Sequence, residues 1–297
     1  MKKRMVATFC LMVMIISVLT GCEEKDLYEE AMSKVNHAKN IEATATMDLS
    51  MNMTLNGHEQ AMDMKMNMDM TAFEDPFKMK MSADINMFGQ STKMNSYVAK
   101  EEDRYMSYTQ VAGQWMKTAL CDADDIETAK KNANSLNPAD FMLEKKTVTE
   151  GEEVTENGKT YKTFTGKMTK EMMKKSMESS ISGMNSAGIS EEALNKIIDK
   201  MTDVSYTMWL DTEEQTLYRV KFSMKDIMNS LMDIVMKEQL EKAAGSSSAE
   251  VKKALKDVKI DVSKCDMDIV YKNYDNAQDF EVPAEALKAK ETETIQK

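Results

Sequence analysis

The sequence predicts an α+β fold, a long curled antiparallel meander with helices inserted in blocks. Three observations carry this. Ile41 to Leu55 alternates apolar and polar residues over fifteen positions, the period of a half-buried strand. Asn56-Gly57, a preferred pair for a two-residue hairpin turn, leads into a second alternating run with Met62, Met64, Met66, Met68 and Met70 on one face. Stripes at helical spacing stand in groups between sets of strands, an order that argues against singly alternating α/β units.

The elements follow in order. Asp26 to Lys39 reads as a helix, with Leu27, Ala31, Val35 and Ala38 at helical spacing, Tyr28 and Met32 widening the stripe, and Glu30 and Lys34 as an i,i+4 pair. If Asn56 and Gly57 form the turn, paired residue numbers add to 113: Met51 faces Met62, Leu49 faces Met64 and Met47 faces Met66. Both apolar sets then share one face, as a hairpin with one buried side requires. Asp75-Pro76 turns the chain into a third strand from Phe77 to Met87, with Met79, Met81, Ala83 and Ile85 in register. Further strands are expected near 92–99, 103–110 and 114–120, and a helix from Asp122 to Leu136 that stops at Asn137-Pro138. Lys146 to Lys167 forms a hairpin turning at Asn157-Gly158. Thr169 caps a helix through Met184, and a second helix runs from Ser190 to Met201. Two strands carry Val204, Tyr206, Met208 and Leu210, then Tyr218, Val220, Phe222 and Met224. An amphipathic helix spans Asp226 to Ala244 through Ile227, Leu231, Ile234 and Val235, and a short helix lies near 249–257. The last strand holds Cys265, Met267, Ile269 and Tyr271. A sheet this long curls, and amphipathic helices are the available cover for its apolar face.

The N-terminus carries an address. Lys2, Lys3 and Arg4 precede an apolar run from Met5 to Val18, shorter than the about 20 residues of a membrane span. The run ends in Leu19-Thr20-Gly21-Cys22, which resembles the lipobox of bacterial lipoproteins. That resemblance implies that residues 1–21 are a signal peptide and that Cys22 receives a diacylglyceryl group as the new N-terminus. Without Lys2, Lys3 and Arg4, the 39 basic residues fall to 36 against 50 acidic ones, a net charge of −14. A polyanion repels nucleic acid and anionic headgroups alike, so membrane attachment falls to the lipid on Cys22, through a tether of residues 22–25. Residues 26–290 read as one domain and 291–297 as a disordered tail, in a monomeric lipoprotein on the extracytoplasmic face of the cell membrane. Spacing alone leaves open whether Cys121 and Cys265 form a disulfide.

Methionine is the compositional signal: 32 residues, against eight phenylalanines and two tryptophans. Met47, Met51, Met53, Met62, Met64, Met66, Met68, Met79, Met81 and Met87 share the sheet's apolar face. Flexible thioethers suit a core that fills gaps, and equally a cavity that repacks around an apolar ligand. A third reading is copper(I), because Met62-x-Met64-x-Met66-x-Met68-x-Met70 is a soft-donor series, although one strand alone cannot close around an ion. His37 lies on a polar helix side and His58 at a wet hairpin tip. Gly158-Lys159-Thr160 lacks the upstream glycine of a phosphate loop, and Glu150, Glu152, Glu153 and Glu156 form a solvated run. No nucleophile–base constellation or zinc-ligand spacing occurs, so the reading is of a non-enzyme without a cofactor.

The N-terminal helix, the long strands 41–55 and 58–72, Gly113-Gln114-Trp115 opening a strand, Val270-Tyr271-Lys272-Asn273-Tyr274 and Glu281-Val282-Pro283-Ala284-Glu285-Ala286 together resemble the lipoprotein-carrier (LolA-like) superfamily, including its Gram-positive lipoproteins of unknown function. The resemblance spans the mature chain. It implies an open half-barrel of about eleven strands, with helices on the concave face and a cavity for acyl chains. The chain departs from soluble carriers in its lipobox and its methionine-rich lining. The expected function is lipid or apolar-ligand binding, with a filled structural lipoprotein or a copper-binding surface protein as alternatives.

Overall fold

The computed structural model describes residues 26–55, 58–125, 147–174, 191–246 and 258–291. The signal segment, Cys22 and its tether, the expected helix beyond Asp125, the Thr169 helix beyond 174, the helix near 249–257 and the tail beyond 291 lie outside them.

Among the described residues, alternating runs build one sheet of eleven antiparallel strands. They are β1 (Asn40–Leu55), β2 (His58–Glu74), β3 (Phe77–Met87), β4 (Gln90–Glu101), β5 (Arg104–Val111), β6 (Gln114–Asp122), β7 (Thr149–Glu156), β8 (Lys159–Met168), β9 (Val204–Asp211), β10 (Thr216–Ser223) and β11 (Lys259–Lys272). Their order is β6-β5-β4-β3-β2-β1-β11-β10-β9-β8-β7, so the first and last strands pair at the centre, and β6 and β7 form opposite edges. The sheet does not close on itself and forms a curved half-barrel, the architecture implied by the LolA-like resemblance.

The β1–β2 register is the expected one throughout, from Asn40↔Phe73 to Leu55↔His58. On one face stand Ala43, Ala45, Leu49 and Met68, all buried. On the other, side chains ladder to one another: Thr44 Oγ1 donates to Asp69 at 3.0 Å, Ser50 Oγ to Asp63 at 2.6 Å, and Asn95 Nδ2 to Gln110 at 3.0 Å. Burial on one side and hydration on the other fix the register.

Helices cover the apolar, concave face. α1 (Leu27–His37) is capped by Asp26, whose carboxylate accepts from the Tyr28 N–H at 3.0 Å. It lies over β9 and β10 and buries Tyr28 and Ala31 against Phe164, Tyr206, Met208, Leu217 and Ile269. Thr169 caps the helical turn at 170–174, its Oγ1 accepting from Met172 N–H. α2 (Glu191–Lys200) packs on α3 (Lys225–Ser246), and α3 packs on β11.

One expected alternation is corrected. Tyr218 does not share a face with Val220 and Phe222. The β9–β10 register shifts between Leu217 and Arg219, so Leu217 takes the inward position and is fully buried. Tyr218 stacks instead on Tyr161, with ring centroids 4.2 Å apart. The bulge reverses the facing of the residues before it.

The segment after β11 crosses the outer face as a strap. Asn40 Oδ1 accepts from Ala277 N–H, Lys78 pairs with Asp279, and Phe280 lies between Phe73 and Tyr97. α4 (Ala284–Leu287) then buries Ala286 against Met106 and Tyr108, and Arg104 grips Glu291 through two bonds of 2.8 and 3.1 Å.

Two rims result. The upper rim carries the β2–β3, β4–β5, β7–β8 and β9–β10 turns; the lower rim carries the β1–β2, β3–β4 and β5–β6 tips.

Candidate functional site

The methionine stripe is continuous across strands. Cross-strand pairing sets Met47 beside Met66 and Met267, Met51 beside Met62, Met64 beside Met87, and Met70 beside Met81. Directly opposed side chains on one face are near neighbours, so the sheet gathers thioethers that a single strand keeps apart.

The ten expected lining residues divide by surroundings. Met68 is buried in the central cluster, with Met47, Met66 and Met81 packed against it. Met47, Met51 and Met64 also pack on the buried group Leu49, Val262 and Cys265, beneath α3. Met79 sits apart, near the upper rim, against Phe77, Val98 and Tyr105. Met53 and Met62 are half-buried towards the lower rim, and Met87 is exposed there. The face is therefore core at its centre and under α3, and progressively open towards β3 and the lower rim. Cys22 lies outside the described residues.

The far side of this lining comes from α3. Helical spacing predicts one stripe on it, through Ile227, Leu231, Ile234 and Val235. Ile227, Leu231 and Ile234 do pack, but against Met173, Met201 and Val204. Met228 and Met232, an i,i+4 pair, form a second apolar face that meets β1 and β11. Their spacing was the available signal. Asn229 fixes the helix in place: its amide donates to Val262 O at 2.9 Å and accepts from Val262 N–H at 2.7 Å. This satisfies backbone groups at the bulge where β11 shifts register against Ser50 and Met51.

Among the described residues, those packed at the centre of the concave face carry no charge. Burial pushes the Tyr28 hydroxyl up, with Tyr206 adding to the shift, and pushes Tyr271 and the Cys265 thiol up as well. Each stays protonated near neutral pH, and a thiol so held is a poor nucleophile. Tyr274 donates to Leu217 O at 2.6 Å. Charges lie on the outer face, where Arg219 donates to Asp268 through two bonds of 2.7 and 2.6 Å and lies over Trp209.

Cys121 and Cys265 lie on β6 and β11, six strand positions apart, and are not joined in a disulfide. Along the sheet that is roughly 29 Å, far beyond the reach of a disulfide. His37 is exposed and bonds Ser33 O at 2.8 Å, and His58 is exposed at the start of β2. Among the described residues, no cluster of His, Cys, Asp and Glu is arranged to hold a metal ion, and no helix is long and apolar enough to cross a membrane.

Residues 23–230 match the profile of a family of unknown function, DUF6612. The chain belongs to that family. No curated protein matches it in sequence. Among solved structures, it is similar to LprF from Mycobacterium bovis, at 10% identity over 87% of this chain and 95% of that one, with a TM-score of 0.43. The lipoprotein LppX from Mycobacterium tuberculosis aligns at 7% identity over 86% and 96%, with a TM-score of 0.37. A LolA superfamily protein from Nitrosomonas europaea aligns at 8% identity over 66% and 69%, with a TM-score of 0.16.

Proposed function

We propose that this DUF6612 protein is a membrane-anchored extracytoplasmic lipoprotein that holds a lipid or another apolar ligand against its methionine-rich concave face. The observation that carries the reading is the graded burial of that face. Uncharged thioether positions run from a packed centre at Met68 to half-buried Met62 and Met66 and exposed Met87. Closely packed helices lie over the β9–β11 side. A lining of unbranched side chains repacks around chains of different length more readily than stiff, β-branched ones. The absence of charge at its centre matches an acyl chain, not a polar metabolite.

Anchoring rests on Leu19-Thr20-Gly21-Cys22. Two acyl chains on Cys22 hold a protein to a membrane stably where one holds marginally. In a bacterial host, the full-length protein incorporates labelled fatty acid and partitions into detergent, and its Cys22→Ala variant does neither. Equal labelling of both sinks the anchor.

The binding reading is tested by native mass spectrometry of the purified protein, followed by organic extraction and titration with a fluorescent phospholipid analogue. A saturable, salt-insensitive complex is expected. Met66→Trp, a wide side chain on the half-buried part of the lining, lowers occupancy in a protein that circular dichroism shows to be folded. An empty protein that binds no analogue at micromolar concentration replaces this reading with that of a structural lipoprotein.

A further inference from the structure

We propose that the lower rim of the β1–β6 half is a membrane-docking surface, in which Met87, Phe88, Val111 and Met116 enter the interface of a phospholipid bilayer. The proposal rests on the anchored reading above and adds how the body meets the membrane.

The first observation is where apolar surface is exposed. Among the described residues, five large hydrophobic side chains are exposed: Met87 (47%), Phe88 (57%), Val111 (39%), Met116 (46%) and Leu287. All but Leu287 lie within three residues of two neighbouring lower-rim tips, the β3–β4 and β5–β6 turns. Single exposed apolar residues need no explanation, but a cluster confined to one rim does.

The second is the turn itself. Phe88 and Gly89 have φ of 55° and 73°, the left-handed pair of a tight hairpin. The same position is Asn157 in the β7–β8 turn and Ala112 in the β5–β6 turn. A bulky aromatic is disfavoured there. Local turn chemistry therefore does not explain Phe88, and contact with an apolar phase does.

The third is charge. Leu49 to His58, Ile85 to Thr92 and Tyr105 to Met116, which contain the three lower-rim tips, hold no Asp, Glu, Lys or Arg in a chain that is 30% charged. The opposite turns hold Glu74, Asp75, Glu102, Asp103, Glu213 and Glu214. Headgroup phosphates repel that acidic rim, and the uncharged one meets them without penalty.

The fourth is the direction of the chain. α1 ends at the upper rim, where Lys34 donates to Glu214 O at 2.6 Å and Lys39 O accepts from Glu74 N–H at 2.8 Å. Its N-terminus therefore points to the lower rim. Tyr28 meets Phe164, whose strand runs on to Met168, about 13 Å further at a strand's rise. From Cys22 to Asp26 the chain spans at most about 14 Å. A tether of that reach is long enough to bring the lipid on Cys22 level with the β8 end of the lower rim. The upper rim lies the other way, beyond a helix about 16 Å long. Seated so, the open end of the methionine face stands at the bilayer surface, where an acyl chain enters without crossing water.

The test uses the full-length lipidated protein in phosphatidylcholine vesicles containing brominated phosphatidylcholine, which quenches tryptophan within the bilayer. Phe88→Trp is compared with Glu102→Trp on the upper rim. Both keep Trp115 and Trp209, and both are checked for a native melting temperature. The added fluorescence of Phe88→Trp should be quenched at least threefold more than that of Glu102→Trp. Hydrogen exchange of the wild type on vesicles should protect 86–92 and 110–116 but not the turns at 74–76 and 101–104. A vesicle-bound, lipidated protein with equal quenching at both positions overturns the docking surface and leaves the anchor intact. If Cys22→Ala binds vesicles as the wild type does and position 88 is still quenched, the anchor fails and the docking surface stands. If neither protein binds vesicles, both fail.

Discussion

Gly166 is the place where one added methyl group tests the packing of the concave face most sharply. It pairs with Tyr206 across β8 and β9, and the tyrosine ring lies over it. A Cβ at this position would stand 2.4 Å from the Tyr206 hydroxyl oxygen, 2.5 Å from Cζ and 3.1 Å from Cε1. Carbon atoms rest about 3.5–4.0 Å apart, so the ring must shift by roughly an ångström. It has little freedom to do so, because Tyr206 is 4% exposed and sits in the cluster that includes Tyr28, Phe164 and Met208. Overpacking of this kind costs about 1–3 kcal/mol. Replacing glycine inside a strand returns roughly 0.5–1 kcal/mol of that through lower chain entropy. Gly166→Ala should therefore destabilise by about 1–2 kcal/mol, lowering the melting temperature by about 2–8 °C for a chain of this size. Urea unfolding followed by circular dichroism reads the change. In a Tyr206→Leu background the methyl group has room, and the same substitution should be neutral or stabilising. Equal effects in the two backgrounds, or a Gly166→Ala protein as stable as its parent, would refute the pinned ring.

Other perturbations have equally definite outcomes. Met68→Asp places a carboxylate where the side chain is 6% exposed, whereas Asn67→Asp alters the exposed outer face; the first should cost several kcal/mol and the second close to none in urea unfolding. Burial acts to raise the Asp268 carboxyl, but Arg219 and Lys221 outweigh it and hold the group below the usual carboxylate range. Because its folded value is depressed, its contribution is present above the unfolded value near 4 and is lost as pH falls through the folded one. Asp268→Asn should therefore lower stability at pH 6 and flatten its decline towards pH 2, as measured by urea midpoints across that range. Ala286→Asp, at a fully buried position against Met106 and Tyr108, should release the strap; limited proteolysis should then cut within 276–291 in the variant before it cuts the parent.

How much of this was legible in the sequence depends on the range of the forces involved. Local periodicity determined the β1–β2 hairpin to the residue: the turn pair at Asn56-Gly57 sets the register, and a one-residue slip would bring the polar set to the buried face. The same rule marked β3 from Phe77 to Met87 and the strand containing Cys265. It also showed that Met47, Met62 and Met81 share a face, but not what lies above them. Tertiary structure decided that. Met228 and Met232 cover Met51 and Met64 because α3 presents two apolar sides, one to α2 and one to the sheet, and helical spacing alone does not say which side meets which partner. The facing of Tyr218 was hidden because a bulge depends on the neighbouring strand's register. The separation of Cys121 from Cys265 was hidden for a related reason. It follows from β1 pairing with β11, which fixes how many strands stand between the two thiols. The strap from Asn273 to Glu291 carries almost no periodic signal, and its anchors at Lys78, Arg104 and Met106 lie roughly two hundred residues away. Short-range chemistry wrote the strands and their two faces into the sequence. Which methionines became core and which stayed open was settled only when distant helices reached the sheet, because burial belongs to the assembled fold.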